Sequence, residues 1–239
     1  MTERAEAFTP KHHALMMAWI AQAVVDAVGD REGERIVRKA VARYGHQRGR
    51  RMAMRAEADG QPLTVESYLA YAEVKPRKGD TQTKLLERSP DARSQVIGCA
   101  WYDAWNENDL MPYGRYFCME IDRAVVRGFN PQLVLEVGAT MPSGADCCDF
   151  VFRDADLTIP RLAGILWTRA VGPARRAAMP WEYHVGHLFK SFGEVVAEEL
   201  GDAAEDVMAS ALGRFADSFG MPARVTLLAY QSTNFDELP

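Results

Sequence analysis

Apolar residues recur at helical spacing at both ends of the chain. From His12, a stripe of Met16, Ile20 and Val24 runs to Gly29-Asp30, and a second stretch runs from Ile36 through Ala40 and Tyr44 to Gly49. From His184, Leu188, Phe192 and Val196 fill the matching places up to Gly201-Asp202. The stretch from Val207 to Gly220 then sets Ala211, Arg214 and Phe215 where Ala40, Arg43 and Tyr44 stand in the first copy. Each copy reads as a helix, a glycine break and a second helix ended by glycine. Few positions are identical, and any two amphipathic hairpins can align this well, so duplication and coincidence both remain open. A true duplication predicts that the two hairpins pack beside each other, each burying a stripe it cannot bury alone.

The period changes in the middle third. Thr83 to Arg88 and Arg93 to Cys99 flank the turn composition Ser89-Pro90-Asp91-Ala92, which predicts a β-hairpin. Gln132 to Thr140 and Cys147 to Arg153 flank Met141 to Asp146 and predict a second. In the last strand Cys148, Phe150 and Phe152 share one face and Cys147, Asp149 and Val151 the other. Between the hairpins, Tyr113 to Arg127 reads as a helix stopped by Gly128 and Pro131. Residues 64–74 read as a helix capped by Thr64 or as a short strand, and Lys75 to Asp80 as a loop. The expectation is an α+β fold, a small antiparallel sheet of about four strands packed with N- and C-terminal helical hairpins. Its layout is one domain over 1–239: a hairpin in 1–60, the sheet with its helix in 80–155, and a second hairpin in 180–220.

Charge and composition exclude several classes. With 28 basic and 33 acidic residues, the formal charge of −5 makes no global case for nucleic acid or a membrane surface. No apolar run approaches the ~18 residues of a spanning helix. The polar start Thr2-Glu3-Arg4-Ala5-Glu6 is unlike a secretory leader, so a cytoplasmic protein is expected. The four cysteines, Cys99, Cys118, Cys147 and Cys148, then read as thiols. Their spacing is not that of a zinc site, and there is no phosphate loop, dinucleotide fingerprint or Gly-x-Ser-x-Gly elbow. Neither a metal nor a cofactor is expected. The expected partner is a small-molecule substrate, without nucleic acid or membrane, and a homo-oligomer stays open.

Candidate chemistry concentrates on the central helix, where Cys118 and Asp122 stand at i and i+4 and share a face. A cysteine attacks as its thiolate and needs a neighbouring base or positive charge. Asp122 cannot supply positive charge, but it can orient a histidine or hold the amino group of a substrate. His184 and His187 stand three apart on one helix face near Trp181 and Tyr183 and are candidates to move a proton, with His12 and His13 opening the equivalent helix of the first copy. Trp101, Tyr102, Trp105, Tyr113, Tyr116 and Phe117 form an aromatic crowd that would suit a core or the wall of a pocket for a flat ring. The basic run from Arg31 to Arg55 reads mostly as a solvated helix face, from which one inward arginine could clamp a substrate carboxylate. Ordinary packing accounts for each of these residues singly.

Taken in order, Tyr116-Phe117-Cys118-Met119-Glu120-Ile121-Asp122, then Gly128-Phe129-Asn130-Pro131, then Gly144-Ala145-Asp146-Cys147-Cys148-Asp149-Phe150-Val151-Phe152 resemble the signature of the L-2-amino-thiazoline-4-carboxylic acid hydrolase family. The resemblance covers roughly residues 95 to 153. It implies a hydrolase that opens a small cyclic amidine or imide at a C–N bond. In this reading Cys118 is the nucleophile and Asp122, His184 and His187 are its catalytic partners. Cys148, the matched cysteine of the last strand, Tyr116, Trp101 and Asn130 line the substrate. Cys147 has no counterpart in the motif, and the long carboxy-terminal helical section is not explained by it. A late Gly-x-x-x-Cys pattern on a sheet-and-helix frame also resembles vinyl-reductase-type sensor modules, so a non-catalytic small-molecule-binding or sensor domain is the alternative.

Overall fold

A computed structural model of the chain describes residues 7–75 and 77–239; the polar start and Pro76 of the expected loop lie outside the described residues. The chain begins with helices α1 (Pro10–Val28), α2 (Asp30–Ala58) and α3 (Val65–Ala70), followed by strands β1 (Thr81–Glu87) and β2 (Ala92–Cys99). Helices α4 (Ala100–Glu107) and α5 (Met111–Phe129) precede strands β3 (Leu135–Val137) and β4 (Cys148–Phe152). Helices α6 (Ile159–Ala170), α7 (Trp181–Leu200) and α8 (Ala204–Leu228) complete the order. The fold is α+β, as expected.

Residues 7–44, 100–120 and 180–234 form one compact unit. Pro10 opens α1, where its missing N–H costs nothing, and the Thr9 amide donates to His12 Nδ1 at 3.2 Å. Gly29, at φ 81°, ends α1, and Gly201, at φ 55°, ends α7; both conformations favour a residue without Cβ. The stripe positions Met16, Ile20, Val24, Leu188, Phe192 and Val196 are all buried. Helix α1 packs against α4, α7 and α8, so the two terminal hairpins share one helical core. On its surface, Lys39 and Arg43 of α2 pair with Glu198 and Glu199 of α7, exposed contacts that each add little.

Residues 45–75, 77–99, 121–179 and 235–239 form the second unit. Its sheet runs β1-β2-β4-β3, antiparallel throughout, with both sequence-predicted hairpins formed. Val96 lies opposite Cys148 and Ser94 opposite Phe150, so the Cys148 face of β4 continues onto β2. Residues 64–74 begin as a helix: Thr64 is the N-cap of α3, and its amide donates to Ser67 Oγ at 2.9 Å.

Two glycines expected to end helices do not. Helix α2 continues nine residues past Gly49 to Ala58, and Gly128 lies inside α5, one residue before its end. In the second unit the two helices meet backbone to backbone at these positions. A Cβ on Gly49 would sit 2.0 Å from the Val125 carbonyl oxygen, and one on Gly128 would sit 2.2 Å from the His46 carbonyl oxygen. The glycines there permit contact instead of breaking helix. Gly49→Ala is therefore expected to force the helices apart and destabilise the protein by about 1–3 kcal/mol, the usual cost of overpacking. Chemical denaturation checks this, and an unchanged midpoint would refute the close crossing.

The late arginines of α2 are also placed differently from expectation. Arg51 is wholly buried and holds Glu73 with two parallel bonds, Nε to Oε1 at 3.0 Å and Nη2 to Oε2 at 2.8 Å. Arg55 donates to Glu73 Oε1 at 2.6 Å, and Arg48 Nε lies 3.9 Å from Oε2. The remaining donor of Arg51 reaches the Phe235 carbonyl, which fixes residues 235–239 to this unit. A solvated face was expected because Asp30, Glu32 and Glu34 punctuate the run early. The acid that neutralises its later half is Glu73, distant in sequence.

Candidate functional site

Asp122 is a strongly perturbed acid of the second unit. It projects from α5 toward groups on three other elements: Arg48 of α2, Tyr68 of α3 and Cys148 of β4 each interact with it electrostatically. Burial pushes its carboxyl pKa up to about 6, against the pull of Arg48 and Arg123. That brings it from ordinary carboxylate behaviour into the range where a general base or acid works near neutral pH. Tyr68 packs edge-on against Phe129 and beside Phe152, at ring separations of 5.6 and 5.5 Å. Burial, reinforced by the Asp122 charge, raises its hydroxyl far above the ordinary tyrosine range, so it stays a protonated donor. Arg48 is the cation of the group and links it to the Glu73 network.

Cys148 is buried on β4, and its sulfur accepts a hydrogen bond from the Met141 amide at 3.3 Å. Desolvation raises its pKa, with Cys99, Asp122 and Cys147 adding to the rise against the Met141 bond. Such a thiol is a poor nucleophile and a good small wall. Cys118 lies one helical turn before Asp122 on α5 and is half-buried. None of the four cysteines forms a disulfide. Asn130 follows the end of α5 and has both ends of its amide engaged by backbone: Nδ2 donates to the Leu63 carbonyl at 2.7 Å, and Oδ1 accepts from Gln132 at 2.9 Å.

In the first unit the aromatic crowd gathers around His13. The Trp101 indole donates Nε1–H to His13 Nδ1 at 3.1 Å, and His13 Nε2 lies 2.9 Å from the Tyr44 hydroxyl. An indole nitrogen can only donate, so Nδ1 is the acceptor and the proton of neutral His13 sits on Nε2, directed at Tyr44. Phe117 and Trp181 close two further sides of the His13 ring. His187 is wholly buried with its ring 4.5 Å from that of Tyr44, and His184 lies against Trp181 at 5.5 Å. Tyr116 is buried, with the Arg115 guanidinium 5.2 Å from its ring centre. His12 belongs to the core: it stacks between Phe8 and Phe219, and burial lowers its pKa to about 4, so it is neutral.

The sequence-predicted residues thus fall into two groups. Asp122, Cys148 and Asn130 belong to the second unit, and Cys118, Tyr116, Trp101, His184 and His187 to the first. Reasoning from sequence did not single out Tyr68 or Arg48, and it weighed His13 only as a possible proton carrier without pairing it with Tyr44. A signal existed for Tyr44, which occupies a stripe position on the first hairpin where an ordinary core would place a purely apolar side chain. Among the described residues no three His, Cys, Asp or Glu are grouped to hold a metal ion, and no helix is long and apolar enough to cross a membrane.

A family model described as L-2-amino-thiazoline-4-carboxylic acid hydrolase matches residues 10–152. The match begins with the first residue of α1 and ends with the last of β4, taking in Cys118, Asp122 and Cys148 and leaving out His184 and His187. No curated protein and no solved structure matches the chain.

Proposed function

We propose that this chain, which belongs to the L-2-amino-thiazoline-4-carboxylic acid hydrolase family, hydrolyses a ring C–N bond of a small cyclic amidine or imide. The observation that carries the reading is Asp122, a carboxyl raised to about 6 by burial beside a permanent cation and a hydroxyl donor. Perturbed carboxyls with specific partners are concentrated at functional sites. Ionised Asp122 would hold the N–H groups of an amidine, the Tyr68 hydroxyl would donate to a developing anion, and Cys148 would form an unreactive wall.

Bond making is assigned to Cys118. A histidine, His184 or His187, takes its proton, and the sulfur adds to the electron-poor ring carbon. The ring C–N bond breaks with its electron pair on nitrogen, which receives that proton. Water then adds to the sulfur-bound carbon and gives a proton to the histidine, the C–S bond breaks with its electron pair on sulfur, and the histidine returns that proton to Cys118. One water is consumed for each ring opened. Tyr116 and Trp101 remain proposed walls for the ring, and Asn130 a proposed contact through the loop it ties.

The test is the pH dependence of turnover with 2-amino-thiazoline-4-carboxylate and related cyclic amidines and imides. Because Asp122 acts ionised, kcat/KM should rise with pH through an acid limb near 6 and level off above it. Asp122→Asn should remove the Asp122 part of the limb, leaving that of the histidine that takes the Cys118 proton, and lower the plateau by roughly 30-fold or more, the cost of losing one partner of a buried charged hydrogen bond. Absence of turnover on every such ring by the folded wild-type protein would overturn the hydrolase reading. An unchanged limb in the variant would overturn the role of Asp122.

A further inference from the structure

Helix α6 is apolar on two sides. Inward it buries Ile165 in the second unit, where Arg169 donates to the carbonyls of Leu69, Ala70, Ala72 and Val74, closing the end of α3, while the exposed Arg161 pairs with Glu66 at the flank. Its solvent side carries Ile159, Ala163, Leu166, Trp167 and Ala170, followed by Val171, all exposed. Ile159, Leu166, Trp167 and Val171 stand 66, 68, 61 and 58 % open. Positions 159, 163, 166, 167 and 170 follow the helical repeat, so the stripe is continuous, and no polar residue interrupts it. Water is a poor partner for such a face, and contiguous apolar surface of this kind marks an interaction site.

Charge indicates what covers it. Residues 159–176 contain four arginines and no acid. Arg175 and Arg176 follow the helix and are exposed. The bond from Arg169 to the Val74 carbonyl, and that from the Met179 amide to the Glu73 carbonyl, bring the exposed Lys75, Arg77 and Lys78 to the same end. A chain of formal charge −5 therefore carries a local basic cluster beside an apolar stripe with a tryptophan. The four large exposed side chains form one apolar area bordered by these cations. That area, with its adjoining cations, suits shallow insertion among lipid acyl chains under anionic headgroups, where bound helices sit about 5–10 Å deep.

We propose that α6 and the adjoining basic cluster dock the protein on an anionic lipid surface. Ile159, Leu166, Trp167 and Val171 enter the interface, and Lys75, Lys78, Arg175 and Arg176 contact the headgroups. The helix lies on the bilayer and does not cross it.

Flotation of the full chain with vesicles tests this, using phosphatidylcholine alone and phosphatidylcholine with 30 % phosphatidylglycerol, a composition fixed by the experimenter. The wild-type protein should float with the anionic vesicles, at least tenfold more weakly with the neutral ones, and progressively less as salt rises. L166E/W167E should abolish flotation, and R175E/R176E should reduce it tenfold or more. These side chains face solvent, so melting temperatures should hold; if the first variant fails to fold, the second decides. No flotation of the wild type, or flotation equal on both vesicles and unaffected by R175E/R176E, overturns the proposal. So does a wild-type dimer that ignores vesicles and becomes monomeric in L166E/W167E, which would assign the stripe to a second copy of the chain.

Discussion

Replacement of Cys118 by serine should lower kcat on a cyclic amidine by on the order of 10³ or more, the scale seen when a covalent nucleophile is removed. Serine keeps the size of the side chain and much of its packing, but its hydroxyl is hardly ionised near neutral pH and a thiol is far more so. Substrate binding should survive, because it draws on the wall residues and on Asp122. Cys118→Ala should alter stability by only about 1 kcal/mol, since the side chain is half-buried and small. Mass spectrometry of the wild type quenched during turnover should show an adduct that both variants lack. Cys147→Ser should be mild, because that residue precedes β4 and has no part in the proposed mechanism. Full activity in a folded Cys118→Ala protein would remove the covalent step and leave water activated by Asp122 as the attacking group.

Glu73→Ala should be the most destabilising single change in the second unit. Glu73 and Arg51 are both wholly buried, and Arg48 and Arg55 converge on the same carboxylate. Removing the acid strands cations away from water, which typically costs 3–5 kcal/mol. For a chain of this size that corresponds to a fall in Tm of roughly 6 °C or more. Glu73→Gln should recover part of the loss, because an amide oxygen still accepts from Arg51. Thermal and denaturant unfolding measure both, and a change below about 0.5 kcal/mol would mean that the arginines are hydrated after all. The same variants have a signature in catalysis. With Glu73 neutral, the Arg48 charge acts on Asp122 uncompensated, ionisation becomes easier, and the acid limb of kcat/KM should move to lower pH.

Periodicity made most of the fold legible. The stripes from His12 and His184 mark α1 and α7, and the two turn compositions mark the hairpins of the sheet. Glycine misled where its role was contact: Gly49 and Gly128 carry the same residue type as the helix-ending Gly29 and Gly201, but only packing distinguishes them. Helix α6 escaped notice because it carries apolar residues on two sides, Ile165 inward and the Leu166–Trp167 stripe outward, with Pro160 and Gly164 near its start and middle. Within the candidate site, Cys118, Asp122 and Cys148 stood out because their order resembles a family. Tyr68, Arg48 and Glu73 did not, since their significance comes from burial and from partners distant along the chain. Charge on Arg48 means one thing on a solvated helix and another beside a desolvated acid.

The Trp101–His13–Tyr44 chain is polarised. Indole accepts no proton, so it occupies one imidazole nitrogen permanently as a dead end and leaves the other as the sole outlet. His13 can therefore pass hydrogen-bond polarity in one direction only, toward Tyr44, and cannot take up a second proton without losing its bond to Trp101. A histidine held this way works as a rectifier, a fixed dipole that sets the orientation of the phenol beyond it. Histidine and tryptophan together thus supply direction, a property that neither residue has alone.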